Sequence, residues 1–181
     1  VKEIILLDNT SNDKVINMKK LVHILEGKNT YVNPAWNKGV KLAKCNKLLI
    51  LNDDTWFDWG DIKTIQEYIT PSNGMLGVGV HNYKLEKTTT INLEPINKRP
   101  AGFACAFFIH KDNWAPIPGE LRIWGGDDYL FHDLKQQGKQ NYKLVNFKVN
   151  GRVSATVSEL RKIESLRSMM DKETTIVQCK K

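Results

Sequence analysis

Two apolar runs that end abruptly in polar residues constrain the fold of this chain more than any other feature. The first run is EIILL at 3–7, which Asp-Asn-Thr-Ser-Asn-Asp follows, and the second is KLLIL at 47–51, which Asn-Asp-Asp follows. A short apolar run closed by turn-forming residues is typical of a buried strand that ends in a loop. Polar side chains at such an end need water, a backbone amide or a cation as partners, so both strand ends are candidate binding positions.

Segments with helical spacing lie between the predicted strands. Apolar residues recur with this spacing from 14 to 25, and Gly27 follows as a stop signal. Asn33-Pro34 predicts an N-cap with proline at the first helical position, for a helix through Ala43. The other predicted elements are a helix at 61–69, a strand around 75–80, a polar excursion at 82–99, a strand at 102–109, a helix from about 127 to 137, short strands near 142–149 and 151–157, and an amphipathic helix at 158–170.

This alternation of strands and helices predicts an α/β fold with a mostly parallel sheet flanked by helices. The length of 181 residues is that of one ordinary domain. Ligands of such sheets bind beyond the carboxyl ends of the strands. Both polar clusters fall at those ends, so we expect the chemistry of the chain there.

Composition narrows the classes of partner. The net charge of +7 favours anionic partners, including phosphorylated small molecules. The lysines are scattered and are not interleaved with aromatic residues, which argues against a nucleic-acid groove. The three cysteines are far apart and lack a CxxC pair, which argues against disulfides and structural zinc and favours a reducing, cytoplasmic compartment. The longest apolar runs are far shorter than the ~20 residues of a transmembrane helix.

The strand end at Asn52-Asp53-Asp54 offers oxygen donors at consecutive positions. Such donors suit a hard divalent cation, Mg²⁺ or Mn²⁺, which keeps open positions for substrate phosphates. The alternative is a turn that only caps a helix.

A second cluster is RIWGGDDYLF at 122–131, where tryptophan and two glycines precede two aspartates at the start of a predicted helix. Glycine lets a backbone or ligand approach closely, a helix N-terminus favours a carboxylate, and an indole face can support a sugar ring or a base. The alternative is that one aspartate is only the N-cap of the helix, but a cap does not require the adjoining Trp-Gly-Gly.

Five motifs in their order make the chain resemble a glycosyltransferase of the GT-A fold, in particular the large inverting family 2 type. They are DNTSND (8–13), NPAWNKG (33–39), LNDDTWF (51–57), RPAGFACAFFIH (99–110) and WGGDDYLF (124–131). WGGDD is also similar to the Trp-Gly-Gly-Glu-Asp element of the β-1,4-galactosyltransferases. The resemblance covers roughly residues 3–157.

For the sugar donor, the resemblance implies a DXD-type motif at Asn52-Asp53-Asp54 and Mn²⁺ or Mg²⁺ as cofactor. Asp54 is the expected metal ligand, and Asp53 is expected to contact the ribose or the metal. The residues expected to bind the rest of the nucleotide-sugar are Asp8 and Asn9, which hold the base, and Asn37 and Gly39, which line the donor pocket.

For the acceptor, the resemblance implies that Asp128 is the general base and that Asp127 and Trp124 bind the acceptor. A single domain is expected, in which 1–80 form the nucleotide-sugar half, 81–157 the acceptor half, and 158–181 a C-terminal helix and tail. The sequence departs from the family in two respects. The family's first strand is expected upstream of Val1, and Arg152, not a late histidine, is expected to bind the diphosphate through its fork of donors.

The resemblance implies transfer of a sugar from a nucleoside-diphosphate sugar to a hydroxyl of a glycan or glycoprotein, with inversion. Two other functions stay open at the sequence level. A nucleotidyltransferase also binds a nucleotide and a metal at strand ends, although its glycine-rich phosphate loop is not seen here. A binding module that kept the fold without turnover is the other, and release of a nucleoside diphosphate separates it from an enzyme.

Overall fold

The computed structural model describes residues 1–10, 14–151 and 164–179. In these residues the chain forms a five-stranded sheet, a smaller sheet of two parallel strands and a short antiparallel pairing of two-residue strands, together with helices. The strands are β1 Ile4–Asp8, β2 Leu21–Leu25, β3 Lys47–Leu51, β4 Thr55–Trp56, β5 Asn73–Gly77, β6 Asn92–Ile96, β7 Ala106–His110, β8 Gln140–Val145 and β9 Asn150–Gly151. The α-helices are α1 Val32–Leu42, α2 Ile62–Ile65, α3 Gly126–Gln136 and α4 Glu164–Cys179. None of these helices is long and apolar enough to cross a membrane.

The larger sheet has the strand order β3-β7-β5-β8-β6, and its pairing corrects the prediction of a mostly parallel sheet. Only the pair β5–β8 is parallel; β3–β7, β5–β7 and β6–β8 are antiparallel. The expectation was wrong because β7 inserts between β3 and β5 and runs antiparallel to both, and because the polar excursion at 82–99 contains a further antiparallel strand, β6. Its sequence, Asn-Leu-Glu-Pro-Ile, is that of a half-exposed edge strand with a proline.

The smaller sheet pairs β1 with β2 in parallel, which overturns the predicted helix at 14–25. Residues 14–18 carry no regular secondary structure, and Leu21–Leu25 form a strand. Short apolar segments are compatible with both periods, and Val22 and Ile24 are β-branched residues that favour a strand. His23 lies opposite Leu6 and contacts the carboxylate of Asp8 at 3.1 Å.

The other helices were predicted at nearly the observed positions. Helix α1 confirms the segment through Ala43, α2 with the following 3₁₀ turn at Gln66–Tyr68 confirms 61–69, and α3 confirms 127–137. Helix α4 runs to Cys179, further than the predicted end at 170. Residues 152–163, which include most of the last predicted strand and the start of that helix, lie outside the described residues.

Strand β7 separates two hydrophobic clusters, one on each face of the larger sheet. Phe107 and Ile109 face the cluster that α1 and α3 cover, whereas Ala106 and Phe108 face the cluster of Ile65 and its neighbours. All five residues of β7 are buried, which explains why AFFIH reads as a continuous apolar run. Successive side chains of β7 point to opposite faces of the sheet, so Phe107 and Ile109 define the face on which α3 packs.

The ends of β3 and β5 and the start of β7 lie together at one edge of the larger sheet. The chain leaves β3 and enters β7 there, since the Asn52 amide donates to the Cys105 carbonyl at 3.0 Å. Strand β5 ends at the same edge, where the Val78 amide donates to the Ala106 carbonyl at 3.1 Å. Helix α3 runs back from this edge, because the Asn141 side chain at the start of β8 donates to the Phe131 carbonyl in the middle of α3. The N-terminus of α3 thus points toward the end of β3.

We expect Gly77→Ala to destabilise the fold by about 1–3 kcal/mol, because overpacking a filled core has this cost. A Cβ at Gly77 would overlap the ring of Phe103, which is fully buried against Phe107 and Phe131. Urea denaturation measures the change. Gly119→Ala is the matched control, since its Cβ would meet no atom within 4 Å. Equal midpoints for the two variants would contradict the packing argument.

Candidate functional site

Arg99, the first residue of the motif RPAG, connects the two aspartates at the start of α3. The Arg99 side chain donates from Nε to Asp128 Oδ1 and from Nη2 to Asp128 Oδ2, both at 2.9 Å. Its Nη1 lies 2.9 Å from Asp127 Oδ2. This two-pronged contact with Asp128 is the geometry in which guanidinium and carboxylate bind most strongly. Sequence analysis predicted Asp127 and Asp128 as site residues, and the structure adds the guanidinium of Arg99, which contacts both carboxylates.

The two aspartates differ in environment although they are adjacent. Asp127 is 6% exposed, whereas the side chain of Asp128 is 16% exposed. Burial, together with the smaller effect of the charge of Asp128, raises the pKa of Asp127 to about 6 despite the attraction of Arg99. The physical reason is that one guanidinium serves two carboxylates, so the more buried one is not fully compensated. Both lie in the first turn of α3, where the helix dipole favours negative charge.

The strand end after β3 places Asp54 half-buried and Asp53 exposed. Thr55 Oγ1 lies 3.4 Å from Asp54 Oδ1 and 3.4 Å from the Tyr83 hydroxyl. The Tyr83 hydroxyl in turn is hydrogen-bonded to the thiol of Cys105. These side chains form a loose polar chain from the end of β3 to the turn before β7.

Cys105 shows that the two acidic clusters belong to one region. Burial raises the pKa of its thiol, and the negative charges of Asp54 and Asp127 raise it further. Both carboxylates are therefore within electrostatic range of the same sulfur. The Asn52 amide, which donates to the Cys105 carbonyl, places the end of β3 beside the same residue. That the two motifs form one functional site stays a prediction.

The loop before α3 is bound on one side by the first turn of α1. The Asn33 side chain donates to the carbonyls of Leu121 and Trp124, each at 3.2 Å, and the Asn33 amide donates to the Arg122 carbonyl. Asn33 was predicted as a helix cap but makes no capping bond; the observed N-cap position is Tyr31. Gly126 packs so closely on Asn33 that any Cβ there would overlap its amide.

The opposite side of this loop is bound by a carboxylate of α4. The backbone amides of Arg122, Ile123 and Trp124 all donate to Glu173, which is 1% exposed. Trp124 itself is half-buried. Sequence reasoning assigned no role to Glu173 or to Arg99. The signal for Arg99 was chemical: two adjacent carboxylates at a buried helix start require a cation.

Asp8 ends β1 and Asn9 follows it, and both side chains are hydrogen-bonded to neighbouring segments of the chain. Asp8 accepts hydrogen bonds from the Thr10 amide at 2.8 Å and from His23, and these bonds lower the pKa of its carboxyl, with Thr10 the larger cause. Asn9 Oδ1 accepts from the amide and the hydroxyl of Thr30, just before α1. Asp8 and Asn9 therefore lie on the side where α1 begins, but base binding by these residues stays a prediction.

Asn37 and Gly39 both lie against other parts of the protein. Asn37 donates to the Ile117 carbonyl and accepts from the Ile117 amide and the Trp114 indole. Gly39 faces β1, where a Cβ would lie 3.3 Å from Leu7. Their expected role in lining a donor pocket stays a prediction, since packing explains both residues. Arg152, the expected diphosphate ligand, lies outside the described residues.

A divalent cation fits Asp53 and Asp54 as a partial ligand set. No group of three or more His, Cys, Asp or Glu side chains that could hold a metal occurs in 1–10, 14–151 and 164–179. Mg²⁺ is commonly bound by one or two carboxylates, with substrate phosphates and water as the other ligands, and Mn²⁺ accepts the same donors. The two oxygen-rich side chains are compatible with that mode of binding.

The described fold is similar to that in the crystal structure of GalNAc-T7 with UDP, GalNAc and Mn²⁺. The TM-score is 0.57 with 15% sequence identity, and the match covers 83% of this chain but only 37% of that chain. No protein-family model matches the sequence, and no curated protein matches it either. At this identity the likeness establishes a shared α/β fold, whereas membership of family 2 stays a prediction.

We expect the free energy of unfolding to carry a contribution from Asp127 that falls as the pH rises from about 4 to about 6. The folded protein holds the proton of Asp127 more tightly than the unfolded chain does, because the pKa is raised from 3.8 to about 6. Asp127→Asn should remove this contribution, so that stability measured by urea denaturation depends less steeply on pH. Glu120→Gln, at an exposed carboxylate, should keep the wild-type slope. Parallel curves for wild type and Asp127→Asn would contradict the interpretation.

Proposed function

We propose that the chain is a glycosyltransferase of the GT-A type, which transfers a sugar from a nucleoside-diphosphate sugar to a hydroxyl of a glycan or glycoprotein. The observation that carries the proposal is geometric: the Asn52 amide donates to the Cys105 carbonyl at 3.0 Å, which puts the strand-end cluster beside the turn before β7, and Arg99 holds the two aspartates at the start of α3. The fold shared with the structure of GalNAc-T7 supports it, since that structure holds UDP, GalNAc and Mn²⁺. UDP-sugars are therefore the first donors to test.

The donor binds at the ends of β1 and β3. Asp54 and Asp53 hold the cation together with the phosphates, and Asp8 and Asn9 hold the base. Asn37 and Gly39 shape this pocket from α1, and Arg152 reaches the diphosphate. A bound Mn²⁺ or Mg²⁺ would offset the negative charge that grows on the departing nucleoside diphosphate. The exposure of Asp53 and the half-burial of Asp54 leave both carboxylates accessible to such a ligand.

The acceptor binds beside α3, where Asp128 takes the proton of the attacking hydroxyl. Arg99 fixes the direction of the Asp128 carboxylate through both of its oxygens. Each oxygen keeps a further lone pair that can accept a proton. Asp127, which is more buried, helps to hold Arg99, and Trp124 offers an apolar face to the acceptor sugar. Attack from the side opposite the leaving group inverts the anomeric carbon.

We expect Asp54→Ala to abolish Mn²⁺-dependent binding of the nucleotide-sugar and to leave the fold intact, because a partly exposed strand-end carboxylate is removed without a change in the core. Calorimetric titration of UDP-sugars, GDP-sugars and dTDP-sugars with and without Mn²⁺ measures the effect. Glu67→Ala removes an exposed carboxylate elsewhere and serves as the control. Unchanged affinity in Asp54→Ala would remove Asp54 from the donor site.

We expect Asp128→Asn to lower turnover by roughly 10²–10⁴-fold with little change in nucleotide-sugar affinity, which is the pattern for loss of a general base. Asparagine caps a helix about as well as aspartate, so a capping role predicts normal activity instead. Release of nucleoside diphosphate measures turnover. The NMR spectrum of the product gives a second check, and retention of configuration would rule out a single base behind the acceptor.

A further inference from the structure

Glu173 is a buried carboxylate whose bonds all go to one short stretch of backbone. Its Oε1 accepts from the Arg122 amide at 2.8 Å, its Oε2 accepts from the Ile123 amide at 2.9 Å, and Oε2 also accepts from the Trp124 amide. Three successive N–H groups directed at one anion form a nest-like arrangement that fixes the backbone conformation. Because the acceptor is charged, each bond is stronger than one between neutral groups.

The burial of Glu173 is costly unless it serves these bonds. An ionised carboxylate is rarely buried without compensating partners. Other charged side chains of α4, namely Glu164, Arg167, Asp171 and Lys172, are exposed. Met170, one turn before Glu173, is also buried. The face of α4 that carries Met170 and Glu173 is therefore the one that packs on the protein, and a leucine at 173 would satisfy packing but not the three amides.

The bonds of Glu173 complement those of Asn33 on the other side of the loop. Glu173 accepts from the amides of 122–124, while Asn33 donates to the carbonyls of 121, 122 and 124. The loop then turns at Gly125, which has φ 70°, and enters α3 at Gly126 against Asn33. A shift of this loop would move Trp124 and the first turn of α3 together, because only Gly125 and Gly126 lie between Trp124 and Asp127, and both glycines are buried.

We propose that Glu173 is a positioning residue for the acceptor side of the site. It holds the backbone of Arg122, Ile123 and Trp124 and through it sets the position of Trp124 and of the carboxylate of Asp128. This inference rests on the proposed glycosyltransferase function, but the contact between α4 and the loop does not. Misplacement of catalytic groups by about 1 Å can lower a rate on the order of 10²-fold.

The test compares Glu173→Gln and Glu173→Ala with Asp171→Asn on the exposed face of the same helix. Gln keeps the shape of the side chain, but its NH₂ group cannot accept a hydrogen bond from an amide. We expect hydrogen exchange at the amides of 122–124 to become about 10- to 100-fold faster in Glu173→Gln, as loss of a charge-assisted bond implies. Asp171→Asn should exchange as the wild type does.

The kinetic readout separates positioning from a general loss of stability. In Glu173→Gln, kcat/KM for the acceptor should fall by on the order of 10- to 100-fold, while calorimetric affinity for the nucleotide-sugar stays at the wild-type value. An equal loss of donor affinity would mean that Glu173 only stabilises the fold and would overturn the positioning role. Unchanged exchange at 122–124 would overturn the contact itself.

The two failures can be told apart in the same experiment. A wild-type chain that binds no nucleotide-sugar and releases no nucleoside diphosphate would overturn the proposed function and with it the kinetic part of this inference. Hydrogen exchange still reports on the contact between Glu173 and the loop in that case. A fully active Glu173→Gln with fast exchange at 122–124 would overturn the positioning role and leave the proposed function standing.

Discussion

The antiparallel pairing of β7 with β3 and β5 is the constraint on which the rest of the structure depends. Because β7 runs opposite to both neighbours, its start lies beside the ends of β3 and β5. This places Cys105 next to Asn52 and the strand-end carboxylates. The buried residues of β7 supply both hydrophobic clusters, so α3 packs on a strand whose position is already fixed. Helix α3 then directs Asp127 and Asp128 to the same edge.

The second constraint is that the two carboxylates at the start of α3 need a compensating positive charge. One guanidinium, that of Arg99, faces two carboxylates of unequal burial. The less buried Asp128 receives the two-pronged contact, and the more buried Asp127 is left with a raised pKa. A pair of carboxylates with different environments can divide their roles. In the proposed mechanism Asp128 takes the proton of the acceptor, and Asp127 serves mainly to hold Arg99 in place.

The sequence was sufficient to predict several local elements of this fold but not all of them. Continuous apolar runs predicted β1 and β3, and the Asn-Pro pair with its downstream spacing predicted α1. The helix predicted at 14–25 was wrong because five apolar-rich residues fit either period, and pairing with β1 decided the matter. The prediction of mostly parallel strands was also wrong, since strand direction depends on which strands become neighbours and not on the hydrophobic period of any one strand.

The contacts that complete the site could not be predicted because they join residues far apart in the chain. Arg99 reaches Asp128 across 29 positions, and Glu173 reaches Arg122 across 51. Neither residue belongs to a periodic pattern, and each looks like an ordinary surface charge in the sequence. Only the chemistry of their partners gives a hint. The adjacent carboxylates need a positive charge nearby, and the backbone N–H groups of 122–124 need a hydrogen-bond acceptor.

The two sides of the site differ in how far internal contacts already fix them. On the side of α3, charge-assisted bonds at 2.8 to 2.9 Å hold the loop at Arg122 and Ile123 and the carboxylate of Asp128. At the end of β3, Asp54 has a contact of 3.4 Å with Thr55, and Asp53 is exposed. A site whose groups are fixed in advance loses less entropy on binding. The acceptor side of the proposed enzyme is therefore preorganised by the protein, whereas the donor side depends on the nucleotide-sugar and its cation to order the carboxylates after β3.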